Sequence, residues 1–264
     1  MSLLSLVPAP PGSLPASPDS PEYAQYRTAV VAAATDLIAA LHPHNASVWA
    51  RGKTLNARQG APTDTYSSIK PPPGTGDSAG FRWHARQSLH DPSKISYEQF
   101  EAGLLRGHTS NEREYIDSCF VARRLAVVKE GELEVWQTKY HSPFPASRRA
   151  FVFRILTVSL PPRPSPSDPT RALRSFLVVS IPTTHPDAPE EKGYVRGRYV
   201  SVEEVREGDD GVLVWTMAVS SDAGGSIPRF LSERVMPAKI SEDVPSFLWW
   251  VWKGPLAHVD RYTL

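Results

Sequence analysis

Val212-Leu-Val-Trp-Thr-Met-Ala-Val-Ser-Ser221 runs directly into Asp222-Ala-Gly-Gly-Ser-Ile-Pro-Arg-Phe230, and the reading of this junction decides the fold. The first ten residues are apolar and β-branched with little charge, the pattern of a buried or half-buried strand. Gly224-Gly225 breaks it, because paired glycines reach backbone angles that a β-carbon forbids. Ser226 offers a helix N-cap, and Pro228 suits a first helical turn, where its missing N–H costs little. Ile227, Leu231, Val235, Ala238, Leu248 and Trp252 then follow at helical spacing. A strand is expected to turn sharply into a long C-terminal helix, bent near Pro237 and Pro245.

Upstream of this junction the chain reads as a succession of strands, at about 120–129, 132–141, 149–160, 173–183, 194–206 and 212–221. Turns fall at Glu130-Gly131, Ser142-Pro143, the 161–169 segment with its five prolines, His185–Lys192 and Gly208–Gly211. Strands joined by hairpin-length links argue for an antiparallel meander. Earlier still, Phe81, Trp83, Ala85 and Leu89 alternate with Arg82, His84, Arg86 and Ser88, a strand with one apolar and one polar face. Ser96-Tyr-Glu-Gln99 is a capping-box signature, and Asn111–Ile116 a second short helix. Tyr23, Tyr26, Val30, Ala33, Ala34, Leu37, Ile38 and Leu41 form an amphipathic stripe that opens at Pro21 and stops at His42-Pro43. Residues 1–21 hold six of the 26 prolines and are expected to be a disordered leader, with one domain over 22–264.

Composition narrows the function. The 264 residues are 41% hydrophobic and 22% charged with a formal net charge of +1, so no basic face for nucleic acid is evident. Cys119 is the only cysteine, which rules out an intrachain disulfide and a CxxC motif. The histidines form neither HExxH nor His-x-His, and no G-x-S-x-G elbow or phosphate loop occurs, so no cofactor or metal is expected. His84 with Glu114 is the nearest approach to an acid–base pair, but His84 lies on the polar face of its strand and reads as a surface residue. The first residues make a poor signal peptide, and a cytoplasmic, soluble protein is expected.

Four segments carry a resemblance. Asp222–Pro228 matches the Asp-x-Gly-Gly-x-x-Pro turn of START-like domains. Ser147-Arg-Arg-Ala-Phe-Val152 is similar to their Ser-x-Arg-Asp-Phe-Val strand opening, with Ala150 in place of the acid. Tyr194-Val-Arg-Gly-Arg-Tyr199 and the strand around Trp136 complete the set. With His108-Thr-x-Asn-Glu-x-Glu-Tyr-Ile116 and Arg174-Ser-Phe-Leu-Val-Val179, the chain most resembles a fungal family of START-like proteins of unknown function. The resemblance implies an α+β helix-grip fold, in which a curved antiparallel sheet wraps around the long C-terminal helix. It also implies an internal cavity for a hydrophobic small molecule such as a lipid or sterol, with transient membrane contact. Several START-like proteins are cyclases or dehydratases, so a cavity enzyme acting on a polyketide-like or terpenoid substrate is the alternative.

Candidate wall residues on strands are Trp136, Val152, Arg154, Leu156, Val179, Trp215 and Met217; the helix adds Ile227, Phe230, Leu231 and Val235. Arg154 shares a face with Val152, Leu156 and Val158, and a buried guanidinium needs an acceptor. Glu134, a ligand oxygen, or solvent at the sheet edge are the choices. Arg196 and Arg198 flank Gly197 and form either a phosphate or carboxylate clamp or a solvated face. Trp249, Trp250 and Trp252 cannot all point one way on a helix, so at least one should be exposed or lie against the first helix.

Overall fold

Ser20 caps the first long helix, α1 (Pro21–Ala39): its Oγ accepts the Tyr23 N–H at 3.1 Å, and Pro21 takes the first helical position. The computed structural model describes residues 3–41, 44–76, 78–142 and 147–254. His42-Pro43 and Pro143, read above as a helix stop and part of a turn, lie outside the described residues. After α1 come β1 (Trp49–Leu55), β2 (Thr63–Ser68) and β3 (Trp83–His90). The capping box then starts α2 (Tyr97–Phe100): Ser96 Oγ accepts from Gln99 N, and the Gln99 side chain accepts from Ser96 N. A π-helical turn, Glu101–Leu105, leads into α3 (His108–Tyr115).

The predicted meander follows as β4 (Cys119–Lys129), β5 (Leu133–Tyr140) and β6 (Arg148–Ser159). The Pro-rich loop contains only the two-residue pair β7 (Arg163–Pro164) and β8 (Ala172–Leu173), since proline supplies no ladder N–H. Then come β9 (Ser175–Pro182), β10 (Tyr194–Arg196), β11 (Arg198–Glu207) and β12 (Leu213–Asp222), followed by α4 (Arg229–Ser241) and α5 (Asp243–Lys253). The sheet runs β1-β2-β3-β12-β11-β9-β6-β5-β4, every neighbouring pair antiparallel, with β10 alongside β6 in parallel. The meander thus closes on β3, and β1 and β2 extend the same sheet.

Both faces of that sheet are covered. On the outer face α1 lays Val30, Ala34, Leu37 and Ile38 against Trp83, Ala85, Leu156, Val179, Val200 and Ala218. On the inner face α5 and the α2–α3 segment pack Phe100, Tyr115, Phe247 and Trp250 against Phe153, Phe176, Val205 and Trp215. This is the helix-grip arrangement that the resemblance implies.

Residues 3–20 are not a free leader. Leu4 and Leu6 are fully buried in the outer core, and Leu4 O accepts from Gly76 N at 2.8 Å. Ala9 bridges to Thr183 beyond the end of β9. Proline richness lowers the entropy lost on docking an extended segment, so composition alone did not decide between strap and tail.

The expected C-terminal helix is two helices. Pro237 sits inside α4 without ending it; the break falls at Glu242. Pro245 cannot donate to the Ser241 carbonyl, which instead accepts from Asn56 Nδ2 at 2.5 Å. α5 grips the inner face, whereas α4 lies against β2 and β3.

Gly224 and Gly225 both have positive φ, +64° and +66°, and a β-carbon on Gly224 would stand 2.7 Å from the Arg196 carbonyl oxygen. Gly224→Val is therefore expected to destabilise the fold by at least about 1 kcal/mol in a thermal or urea melt. A neutral substitution there would mean that the turn does not constrain the grip.

Candidate functional site in the grip

β3 presents His84, Arg86, Ser88 and His90 to the inner face, each buried. The register sets Arg86 opposite Met217, and Ser88 opposite Trp215, on β12. The polar face of this strand, read from sequence as solvated, is therefore the one that faces α5, because the apolar face of Trp83 and Ala85 is taken by α1. His84 is a buried residue, not a surface one: its Nδ1 lies 2.9 Å from Ser67 Oγ, and burial pushes its pKa down to about 4.

Arg86 is the centre of the site. Its guanidinium stacks 3.9 Å over the Trp215 ring, and its Nη2 lies 3.5 Å from Glu203 Oε2 on β11. Trp215 Nε1 donates to the same carboxylate at 3.0 Å. Arg86 Nε and Nη1 have no hydrogen-bond partner among the described residues. Buried N–H groups left unpaired cost about 1–3 kcal/mol each, more on a charged group, so these two call for an acceptor that the described residues do not supply.

α3 and α5 bring further titratable groups over this floor. His108 Nδ1 donates to the Leu104 carbonyl at 2.9 Å; Nε2 lies 3.5 Å from Glu112 and 3.7 Å from Glu203. Burial alone would hold this imidazole neutral, but the two carboxylates outweigh it and raise its pKa to about 9. Asp243, at the start of α5, is raised to about 7 by burial, against the pull of Arg86. Tyr115, Tyr140 and Tyr199 hold their phenols protonated, pushed well up by burial. Among the described residues no group of three His, Cys, Asp or Glu side chains is disposed to hold a metal.

Beside the cluster, a cleft of about 410 Å³ opens between the start of α3 and the β4–β5 hairpin. Trp136, Ile155 and Thr157 line it from the sheet, and His108 and Thr109 from the helix. Trp136 Nε1 donates to Glu134, which also accepts from Gly131 N and Arg124.

The residues expected to wall a cavity divide into three groups. Trp136, Trp215 and Met217 face inward, but Trp215 is packed against Phe100 and Phe247 at centroid distances of 5.6 and 5.2 Å. Aromatic rings thus fill that part of the grip, and the cleft lies to one side. Val152, Arg154, Leu156 and Val179 face outward, under α1 and the N-terminal strap. Alternation groups Val152, Arg154 and Leu156 on one face of their strand; it carries no information about which face. Ile227 is half-buried, while Phe230, Leu231 and Val235 are 73%, 45% and 51% exposed, because α4 rests on the β2–β3 edge with this stripe turned out.

The other motifs resolve structurally. Arg196 donates to the Ala188 and Pro189 carbonyls, and Arg198 to Asp222, so neither forms an anion clamp. Trp250 is buried against Tyr115 and Phe247, with Trp249 and Trp252 exposed. Sequence reasoning missed Arg86, His108, Glu112, Glu203 and Asp243. Two signals were present: the i, i+2 polar series in β3, and the i, i+4 spacing of His108 and Glu112 within the His108–Ile116 segment.

Comparison with known proteins agrees with this architecture. The family described as a protein of unknown function, DUF3074, matches residues 83–251. An uncharacterized protein of Schizosaccharomyces pombe, C577.11, is 31% identical over 179 residues, 65% of this chain and 69% of its own. Human StAR-related lipid transfer protein 5 superposes with a TM-score of 0.60 at 11% identity, covering 85% of this chain and 95% of that one. Human STARD10 gives 0.55 at 12% identity over 91% and 87%, respectively. At such identities the likeness is one of fold. This chain belongs to the DUF3074 family and folds as a START-like helix-grip domain.

Proposed function

We propose that this domain binds a hydrophobic small molecule, a lipid or sterol, with the ligand's polar group received by Arg86, and carries it through the cytoplasm. The observation that carries the reading is the buried guanidinium whose two N–H groups on the gripping face have no partner among the described residues. The neighbours in fold include proteins named for lipid transfer. The half-buried rings of Phe151, Tyr140 and Tyr199 line the far end of the same face and suit an apolar tail. Burying about 300 Å² of apolar ligand surface contributes roughly 7 kcal/mol before the entropy of association is subtracted. The buried free thiol Cys119 is compatible with a reducing compartment.

His108 and Asp243 favour a second reading. Two groups that hold or share protons near neutrality, beside a buried cation, suit acid-assisted cyclisation or dehydration in an enclosed site. Lipid analysis of protein purified from its own cells separates the two. An intact bound lipid supports carriage, and turnover of a cyclisable substrate by an empty protein supports the enzyme.

Removing Arg86 alone would strand Glu203, so the test replaces both. Arg86→Met with Glu203→Gln is expected to leave the melt within a few degrees of the parent and to weaken binding of a fluorescent lipid at least tenfold. Unchanged lipid affinity in this variant would remove Arg86 from the site.

The pH dependence follows from His108. Its folded pKa of about 9 lies above the unfolded value of 6.5, so its contribution is complete below pH 6.5 and is lost as pH rises towards 9. The melting temperature should fall over that window, and His108→Gln should flatten the fall. An equal slope in the variant would show that the cluster does not hold the proton on this imidazole.

Lipid exchange needs contact with a bilayer, and the exposed stripe of Phe230, Leu231 and Val235, with Arg234 among them, has the composition of an interfacial helix. Phe230→Glu with Leu231→Glu should preserve the melt while reducing sedimentation with anionic vesicles and slowing transfer between them. Full vesicle binding by this variant would place the docking surface elsewhere.

A further inference from the structure

Arg154 is buried, yet among the described residues it has no carboxylate partner. Its Nη2 donates to Ser13 Oγ at 2.8 Å, to the Pro10 carbonyl at 3.3 Å and to Thr183 Oγ1 at 3.3 Å, all neutral acceptors. Its guanidinium lies 5.7 Å from the Tyr26 ring, and its Nε has no partner among the described residues. A buried cation held only by neutral oxygens is under-compensated. Of the hydroxyls that touch it, Thr183 is buried and Ser13 is exposed, on a surface strap flanked by Pro10, Pro11 and Pro15. Ser13 is therefore the atom at which an anion can be added from solvent and reach this charge.

We propose that Ser13 is a phosphorylation site whose phosphoryl group is received by Arg154, clamping the N-terminal strap onto the outer face of the sheet. A protein kinase transfers the γ-phosphoryl group of a nucleoside triphosphate to Ser13 Oγ. The Oγ–P bond forms, the bond from that phosphorus to the bridging oxygen breaks, the hydroxyl proton leaves to the kinase's base, and the nucleoside diphosphate departs. The modified side chain gives up its donation to the Pro10 carbonyl, now made at 2.7 Å, and gains charge-assisted hydrogen bonds to the guanidinium. The strap carries Leu4 and Leu6 into the outer core, so its hold on Arg154 bears on the whole outer face.

The test installs phosphoserine at position 13 of the full chain during synthesis and compares it with the unmodified protein, each with and without Arg154→Gln. Phosphoserine should raise the melting temperature by about 3 °C and slow proteolysis of the strap, and Arg154→Gln should abolish both effects. Should Arg154→Gln not fold, a phosphorus NMR titration of the modified parent reads the pairing directly: the second phosphate pKa should fall below its usual value of about 6. An unshifted phosphate pKa, or a stabilisation that survives loss of Arg154, would overturn the proposal. So would equal stabilisation of the unmodified protein by inorganic phosphate, which would make this a site for a free anion. Phosphopeptide mapping of the protein from its own growing and starved cells should find the modified Ser13; its absence from both would overturn the assignment.

Discussion

One continuous sheet divides this molecule into an outer and an inner half, and each strand residue must face one or the other. Among the described residues nine strands lie on a single hydrogen-bonded path, so a side chain on them has one face or the other to occupy. α1 and the N-terminal strap take the outer half, and α2, α3 and α5 the inner. An ordinary half-exposed sheet would let β3 turn its polar face to water. Here the helices of the inner half cover that face, and His84, Arg86, Ser88 and His90 become interior groups, while Leu89 on the opposite face is exposed.

The inner half accepts an energetic cost that a simple core would avoid. Replacing a buried charge cluster by apolar side chains of similar volume is often neutral or stabilising, so ionised groups are not needed to hold such a fold together. Yet β3, β11, α3 and α5 each contribute an ionisable group to one small region: Arg86, Glu203, His108 with Glu112, and Asp243. Trp215 serves them twice, offering its face to Arg86 and its Nε1–H to Glu203. The aromatic packing of Phe100, Phe247 and Trp215 then holds the floor of the cluster in place.

Two of the buried arginines, Arg154 and Arg86, show how much of the site could be read from sequence. Arg154 interrupts an apolar run, and its need for an acceptor is legible there. That acceptor proved to be the strap, 141 residues away in sequence at Ser13, a contact no local pattern encodes. Arg86 stands among other polar residues, where period-2 alternation accounts for it as solvated. The familiar motif from His108 to Ile116 held three of the inner residues, His108, Glu112 and Tyr115, but spacing alone could not say what they would meet.

The sequence by itself determined α1 with its opening proline, the capping box at Ser96, the succession of meander strands, and the glycine turn after β12. These depend on backbone angles and on hydrogen bonds between residues a few positions apart, and such constraints are written locally. Tertiary structure decided which face of each strand is inner, where the C-terminal helix breaks, and that the proline-rich start is a strap. Alternation is unchanged when a strand is turned over, so it groups side chains without orienting them; only the helices that cover each side choose. The break at Glu242 likewise depends on Asn56, from the far edge of the sheet, taking the carbonyl that Pro245 leaves free.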